Sequence, residues 1–120
     1  MNQTLFVQTG TGIDTHGQDI TKASVRAVEN AILSNSMPGI EKALPNNSVD
    51  NMEVFVRVAV PLDREKVDVE EIKNVIPYGS VTVDVTDGGM ATSSGVILED
   101  ENDDNDLMYI VNAAVEVGSN

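Results

Sequence analysis

The chain has no cysteine, which excludes disulfides, thiolate nucleophiles and thiolate metal sites. It has one histidine, His16, so any chemistry that needs an imidazole has a single address. It is also poor in bases. Seven Lys and Arg face 20 Asp and Glu, for a formal net charge of −13. A surface of that sign repels nucleic acid and anionic membranes, so both are excluded as partners. No stretch approaches the roughly 20 apolar residues of a membrane span. The N-terminal segment lacks the basic start and the long apolar run of a signal peptide. The expectation is a soluble cytoplasmic protein whose acidity serves solubility or a salt-rich cytoplasm, with a cation-binding surface as the sharper alternative.

What is present suits one globular domain, residues 1–120, with 41% hydrophobic residues and enough length to bury a core. Thr4 to Thr9 reads as a short strand ended by Gly10. Asp19 is a favoured N-cap for a helix running to about Asn35. Its stripe of Ile20, Ala23, Ala27 and Ala31, with Ser24, Val28 and Ile32, has small residues that let the helix lie close on a sheet. Ser36 to Asn51 is a connector with a helical turn around Ile40 to Leu44. Met52, Val54, Val56, Val58 and Val60 alternate with polar or smaller residues in the clearest strand, stopped at Pro61.

Asp68, with Glu71 three residues on, resembles a capping box opening a short helix that holds Val69, Ile72, Val75 and Ile76 and ends before Pro77. Val81, Val83 and Val85 alternate in a third strand, which Gly88 and Gly89 break. Thr92 to Leu98 reads as another extended piece. Glu99 to Asp106 holds six acids in eight residues and reads most simply as a solvated hairpin loop. Leu107 to Val117 closes the chain as a strand with Tyr109, Val111, Ala113, Val115 and Val117 on one face.

The order β-α-β-α-β-β predicts an α+β fold: a two-layer sandwich whose mixed sheet carries two helices on one face. The strong valine alternation implies that the second face of the sheet is partly buried by another copy of the chain.

Chemistry concentrates in Gly10–Asp19, at the turn from first strand to first helix. Gly10-x-Gly12 lacks the third glycine of a dinucleotide fingerprint, because Thr15 stands there. Gly12 and Gly17 have phosphate-loop spacing, but Gln18 and Asp19 follow where Lys and Ser or Thr are required. Both nucleotide readings fail. Asp14 and His16, two apart, point to the same side of an extended segment and share one proton or one divalent cation. The bland alternative has Asp14 capping a turn and His16 making an ordinary hydrogen bond. Gly12 and Gly17 supply positive φ in a tight loop, and Asp19 and Thr21 cap the first helix. The amides of that helix, with Lys22, offer a place for a carbonyl or an anion.

Ser93 and Ser94 before Gly95 suit a turn, or a loop bearing a nucleophile with His16 or Lys22 as base. Asp100, Asn102 and Asp104 alternate like calcium ligands but lack the required glycine and distal glutamate.

Gly10, Gly12, Asp14, His16 and Gly17 fit Gly-x-Gly-x-Asp-x-His-Gly, and the continuation through Val28 fits as well. On these residues the chain is identified as a member of the "Lin" family of conserved hypothetical proteins, for which the resemblance implies no established activity. The element order is similar to trimeric chorismate-mutase-like folds, including the reactive-intermediate deaminases. That likeness implies a homotrimer with ligand sites between subunits. Methylerythritol cyclodiphosphate synthase has a similar Gly-x-Gly-x-Asp-x-His stretch. The likeness implies Asp14 and His16 as metal ligands, although the third ligand there, another histidine, has no counterpart here. The repeat unit of cyanuric acid hydrolase and barbiturase resembles the segments ending at Lys22 and Gly95. That likeness implies ring opening of a cyclic amide, with His16 standing in for a lysine whose place Gly10 occupies.

The expectation is therefore a small-molecule site on Gly10–Asp19 at a subunit interface. Its favoured form is a hydrolase with Ser93 or Ser94 as nucleophile, His16 as base oriented by Asp14, and Gly10, Gly12, Gly17, Asp19, Thr21 and Lys22 around the ligand. The alternatives are a lyase or synthase holding one divalent metal, and a non-catalytic ligand-binding trimer with no cofactor.

Overall fold

The computed structural model describes residues 3–34 and 36–119. Strand β1 (Gln3–Asp14) leads through a short turn into helix α1 (Ile20–Leu33). A connector carries the single-turn helix α2 (Ile40–Ala43) to strand β2 (Glu53–Val60). Helix α3 (Val69–Lys73), strand β3 (Ser80–Asp87), strand β4 (Met90–Ser93) and strand β5 (Leu107–Ser119) follow. The five strands form one mixed sheet in the order β1-β5-β2-β3, with β4 pairing the first residues of β5. Only β2 and β3 are parallel, as the helical connection between them requires. Helix α1 packs on β1, β5 and β2, and α3 packs on α1 and β3, so both cover the same face. The fold is a two-layer α+β arrangement, as the element order predicts.

The alternating residues explain the core. Val54, Val56, Val58 and Val60 of β2 and Val111, Val115 and Val117 of β5 are buried on the inward face of the sheet. In α1, Ala23, Ala27, Ala31 and Val28 are all at 0% exposure. Its N-cap is Asp19, whose carboxylate accepts from Lys22 N at 3.0 Å, and its C-cap is Ser34. The expected end at Asn35 lies outside the described residues. Helix α3 is capped by Asp68, which accepts from Glu70 N at 3.1 Å. It stops at Lys73, and Val75 and Ile76 follow it in a turn, donating to the carbonyls of Ile72 and Lys73.

Two expectations need correction. Strand β1 does not end at Thr9. It continues through both glycines to Asp14, pairing Gly10 with Ala113, Gly12 with Val111 and Asp14 with Tyr109. The reason is contact between backbones. A Cβ at Gly10 would lie 2.4 Å from Ala27 O, and one at Gly12 would lie 2.1 Å from Ala23 O. These glycines let α1 rest directly on the strand and, unlike Gly17 at φ +101°, are not loop formers. The second correction concerns Thr92 to Leu98. The extended residues are Met90–Ser93, and the chain turns at Gly95 with φ +82°.

Strand β1 is an edge. Its outward backbone groups are partly occupied by α1: Asn30 Oδ1 accepts from Thr11 N at 2.9 Å, and Arg26 donates to Ile13 O at 2.7 Å. The sheet face away from the helices remains open. It carries Val7, Thr9, Thr11 and Ile13 from β1, and across the sheet Ile110, Ala114, Phe55 and Arg57.

Candidate functional site

The turn between β1 and α1 is held by two buried carboxylates with different partners. Asp14, 3% exposed, is the last inward residue of β1. Its Oδ2 accepts from Asp19 N at 2.8 Å, closing the turn onto the helix N-cap. Its Oδ1 lies 3.5 Å from the guanidinium of Arg26, one and a half turns into α1. Asp14 therefore ties the strand end to the helix start, and no hydrogen bond joins it to His16.

The partner of His16 is Asp103. The Nδ1–Oδ2 distance is 2.7 Å, and the Asp103 side chain is 1% exposed. The same carboxylate accepts from Gly17 N at 2.6 Å and from Leu98 N at 2.9 Å. These two amides hold the Asp103 carboxyl below its ordinary value; burial opposes them and the imidazole adds to them. Gln18, at φ 50°, continues the clasp. Its side-chain Oε1 accepts from Asp104 N at 3.1 Å, and its side-chain Nε2 donates to Asn105 Oδ1 and to Leu107 O. The acidic segment is therefore not wholly a solvated hairpin. One acid among six is buried and pins the segment to the Thr15–Gln18 turn. The burial of Asp103 leaves no mark in the sequence, because a buried acid looks like its exposed neighbours.

The remaining expected site residues have identifiable places. Gly10 and Gly12 lie under α1. Asp19 is the helix cap. Thr21 donates to Lys66 O at 3.4 Å and accepts from Asp68 N at 3.0 Å, joining α1 to the start of α3. Lys22 is exposed and forms no ion pair among the described residues. Ser93 Oγ bonds the Asp106 carboxylate and accepts from Gly95 N, while Ser94 Oγ donates to Val96 O at 2.9 Å. Both serines thus shape the turn after β4. No hydrogen bond connects either to His16 or Lys22 among the described residues.

Asp14 and His16 do not fit a divalent-metal pair. Each is occupied by another group, and among the described residues no three His, Cys, Asp or Glu side chains gather as a metal site. What the arrangement offers chemically is an Asp–His pair with an imidazole 24% exposed.

Beside this end of the sheet, Tyr109 is buried. Its phenol is pushed above its ordinary value, first by burial, then by the charges of Asp63, Asp104 and Asp14 and a hydrogen bond to Asp63. On the open face a shallow cleft of about 510 Å³ runs between Thr9, Thr11, Asn30, Arg57 and Asn112.

A family model described as "Conserved hypothetical protein (Lin0512_fam)" matches residues 4–117. Among solved structures, the crystal structure at 1.22 Å of an FtsZ-like protein of unknown function from Nostoc punctiforme PCC 73102 superposes with a TM-score of 0.86. It is 39% identical, over 98% of this chain and 97% of that one. None of the curated proteins matches.

Proposed function

The chain belongs to the Lin0512 family of conserved hypothetical proteins, and on that premise we propose that it is a non-catalytic, self-associating binding domain. The observation that carries this reading is the use already made of its reactive side chains. His16, Ser93 and Ser94 are each engaged in closing a loop, and among the described residues neither serine is hydrogen-bonded to His16 or Lys22, the bases expected to activate it. A nucleophile that shapes its own turn is a poor start for acyl transfer.

Self-association uses the open sheet face. Ile13, Ile110 and Met90 form a cross-strand apolar row there, with Ile13 at 40% and Met90 at 58% exposure. A second copy covers such a row at low cost. The trimeric likeness of the element order favours three copies. Sedimentation of the 12.8 kDa chain at micromolar concentration is expected to give a multiple of that mass. Ile110→Asp is expected to dissociate it with the circular dichroism spectrum unchanged. A wild-type monomer overturns the reading.

One observation favours a second reading. Asp103 fixes the imidazole through Nδ1, the ring is 24% exposed and no hydrogen bond engages Nε2 among the described residues, which suits a general base that activates water. The substrate class is then a small cyclic amide, with water rather than serine as nucleophile. Ring opening by the wild type that disappears in a folded His16→Gln variant supports it. No turnover across a panel of cyclic imides and ureides removes it. Metal-dependent chemistry at Asp14 and His16 has no comparable support.

A further inference from the structure

The helical layer carries a groove of about 370 Å³ between the last turns of α1 and the end of α3. Glu29, Ile32 and Leu33 line one side, and Glu71, Asn74 and Val75 line the other. Ile32 and Val75 are half-buried and pack against the core. Leu33 is 79% exposed, the highest value among the large apolar residues described. The core does not need an apolar side chain there. The charges around it are equally one-sided. Glu29 and Glu71 are exposed, and neither forms an ion pair among the described residues. No base lines the groove, and Lys73, the only base in α3, is taken by Glu70 at 3.6 Å. Helix α1 has no basic residue in its last turn, so the negative end of its dipole stands uncompensated beside these acids.

We propose that this groove docks a basic amphipathic segment of a partner protein. An apolar side chain of that segment seats among Ile32, Leu33 and Val75, and its Lys or Arg side chains reach Glu29 and Glu71. Charge complementarity selects this occupant. An acidic peptide, a nucleic acid or an anionic lipid surface meets charge of its own sign, on a chain whose net charge is already −13. A second copy docked symmetrically would set Glu29 and Glu71 against their own counterparts. The row of Ile13, Ile110 and Met90 on the open sheet face carries no such charge. The groove belongs to the helical layer, so it stays free when the sheet face is covered, and the inference does not rest on self-association. It is also separate from the His16 clasp.

The test is a titration of the full chain, with Ile, Leu and Val methyl groups labelled for NMR. The probes are a synthetic helical peptide of Lys and Leu, a Glu and Leu peptide of the same spacing, and a Lys and Gln peptide without leucine. The Lys and Leu peptide is expected to shift the Ile32, Leu33 and Val75 signals saturably. It should leave Val96 and Ile97, which adjoin the acidic run, in place. The other two peptides should leave all five unmoved. Leu33→Ser, at an exposed position that keeps the fold, is expected to weaken the Lys and Leu peptide at least about tenfold. Glu29→Gln with Glu71→Gln is expected to weaken it about tenfold, and Glu99→Gln with Glu101→Gln to leave it unchanged. The proposal is overturned if the Lys and Leu peptide leaves Leu33 and Val75 unmoved. It is overturned as general charge attraction if the second pair of substitutions weakens binding as much as the first. It is overturned in favour of a second copy if Leu33→Ser lowers the sedimenting mass of the peptide-free chain.

Discussion

Asp14 and Gln8 lie on the same face of the same strand, six residues or about 20 Å apart along it. Both are polar and both are at or below 5% exposure. Around Asp14 every buried polar side chain among the described residues has a partner. The carboxylate takes an amide and faces a guanidinium, and nearby Asp103 takes two amides and an imidazole. Around Gln8 the neighbours are aliphatic and thioether side chains, and the amide oxygen has nothing to accept. The comparison separates two kinds of buried polarity. A saturated network fixes the backbone around it, whereas an orphaned acceptor marks a place where the folded chain is incomplete by itself.

The largest test of that contrast removes the spacer between the two ends. Gly12→Val puts side-chain atoms where the Ala23 carbonyl and Ala27 amide now sit. It is expected to separate α1 from β1 and cost more than about 4 kcal/mol, seen as loss of cooperative unfolding in denaturant. A variant with near-normal stability would mean that the helix can ride higher on the sheet than its alanines suggest.

Next in size is the saturated end. Asp103→Asn keeps the shape but replaces one acceptor oxygen with a donor, and Asp103 now accepts through both oxygens from Gly17, Leu98 and His16. Hydrogen exchange at the Gly17 and Leu98 amides is expected to speed by at least about tenfold, while the β2 amides keep their protection. The same carboxylate sets a pH dependence. Its folded value lies below the ordinary one of about 3.9. Its stabilising effect is therefore complete above that ordinary value and is lost as pH falls through the lowered one. Tyr109 acts at the other extreme. Its raised value means that the unfolded chain ionises first, so stability declines as pH rises past about 10. Thermal melts between pH 2 and 11 for wild type and Asp103→Asn separate the two: the acid-side loss should shrink in the variant and the alkaline loss should not.

The smallest effect has the opposite sign. Gln8→Leu removes the orphaned acceptor from its apolar surroundings and is expected to raise unfolding stability by about 1 kcal/mol in urea. A fall of similar size would show that Gln8 has found a partner in solution, and the contrast between the two ends would disappear.

Much of the fold was legible because it rests on local periodicity. The valines of β2, the inner row of β5 and the small-residue stripe of α1 each announced an element and its buried face. The caps at Asp19 and Asp68 were legible for the same reason, since a cap acts within three residues of itself. The end of β1 was not. Glycine usually breaks strands, and only the alanine helix lying across Gly10 and Gly12 reverses that preference. At the site, adjacency in sequence suggests pairing Asp14 with His16. The actual partner of His16 is 87 residues away in sequence.

Composition and spacing by themselves determined the two-layer class, the buried faces, the helix starts and the absence of thiol chemistry. These depend on neighbours within one turn or two strand residues. Which acid of the run is buried, which glycines lie against a helix, and which glutamine is left without a donor were decided only by the tertiary structure. Burial and hydrogen-bond satisfaction depend on segments that meet through the sheet, and the strand order β1-β5-β2-β3 brings the last strand of the chain beside the first.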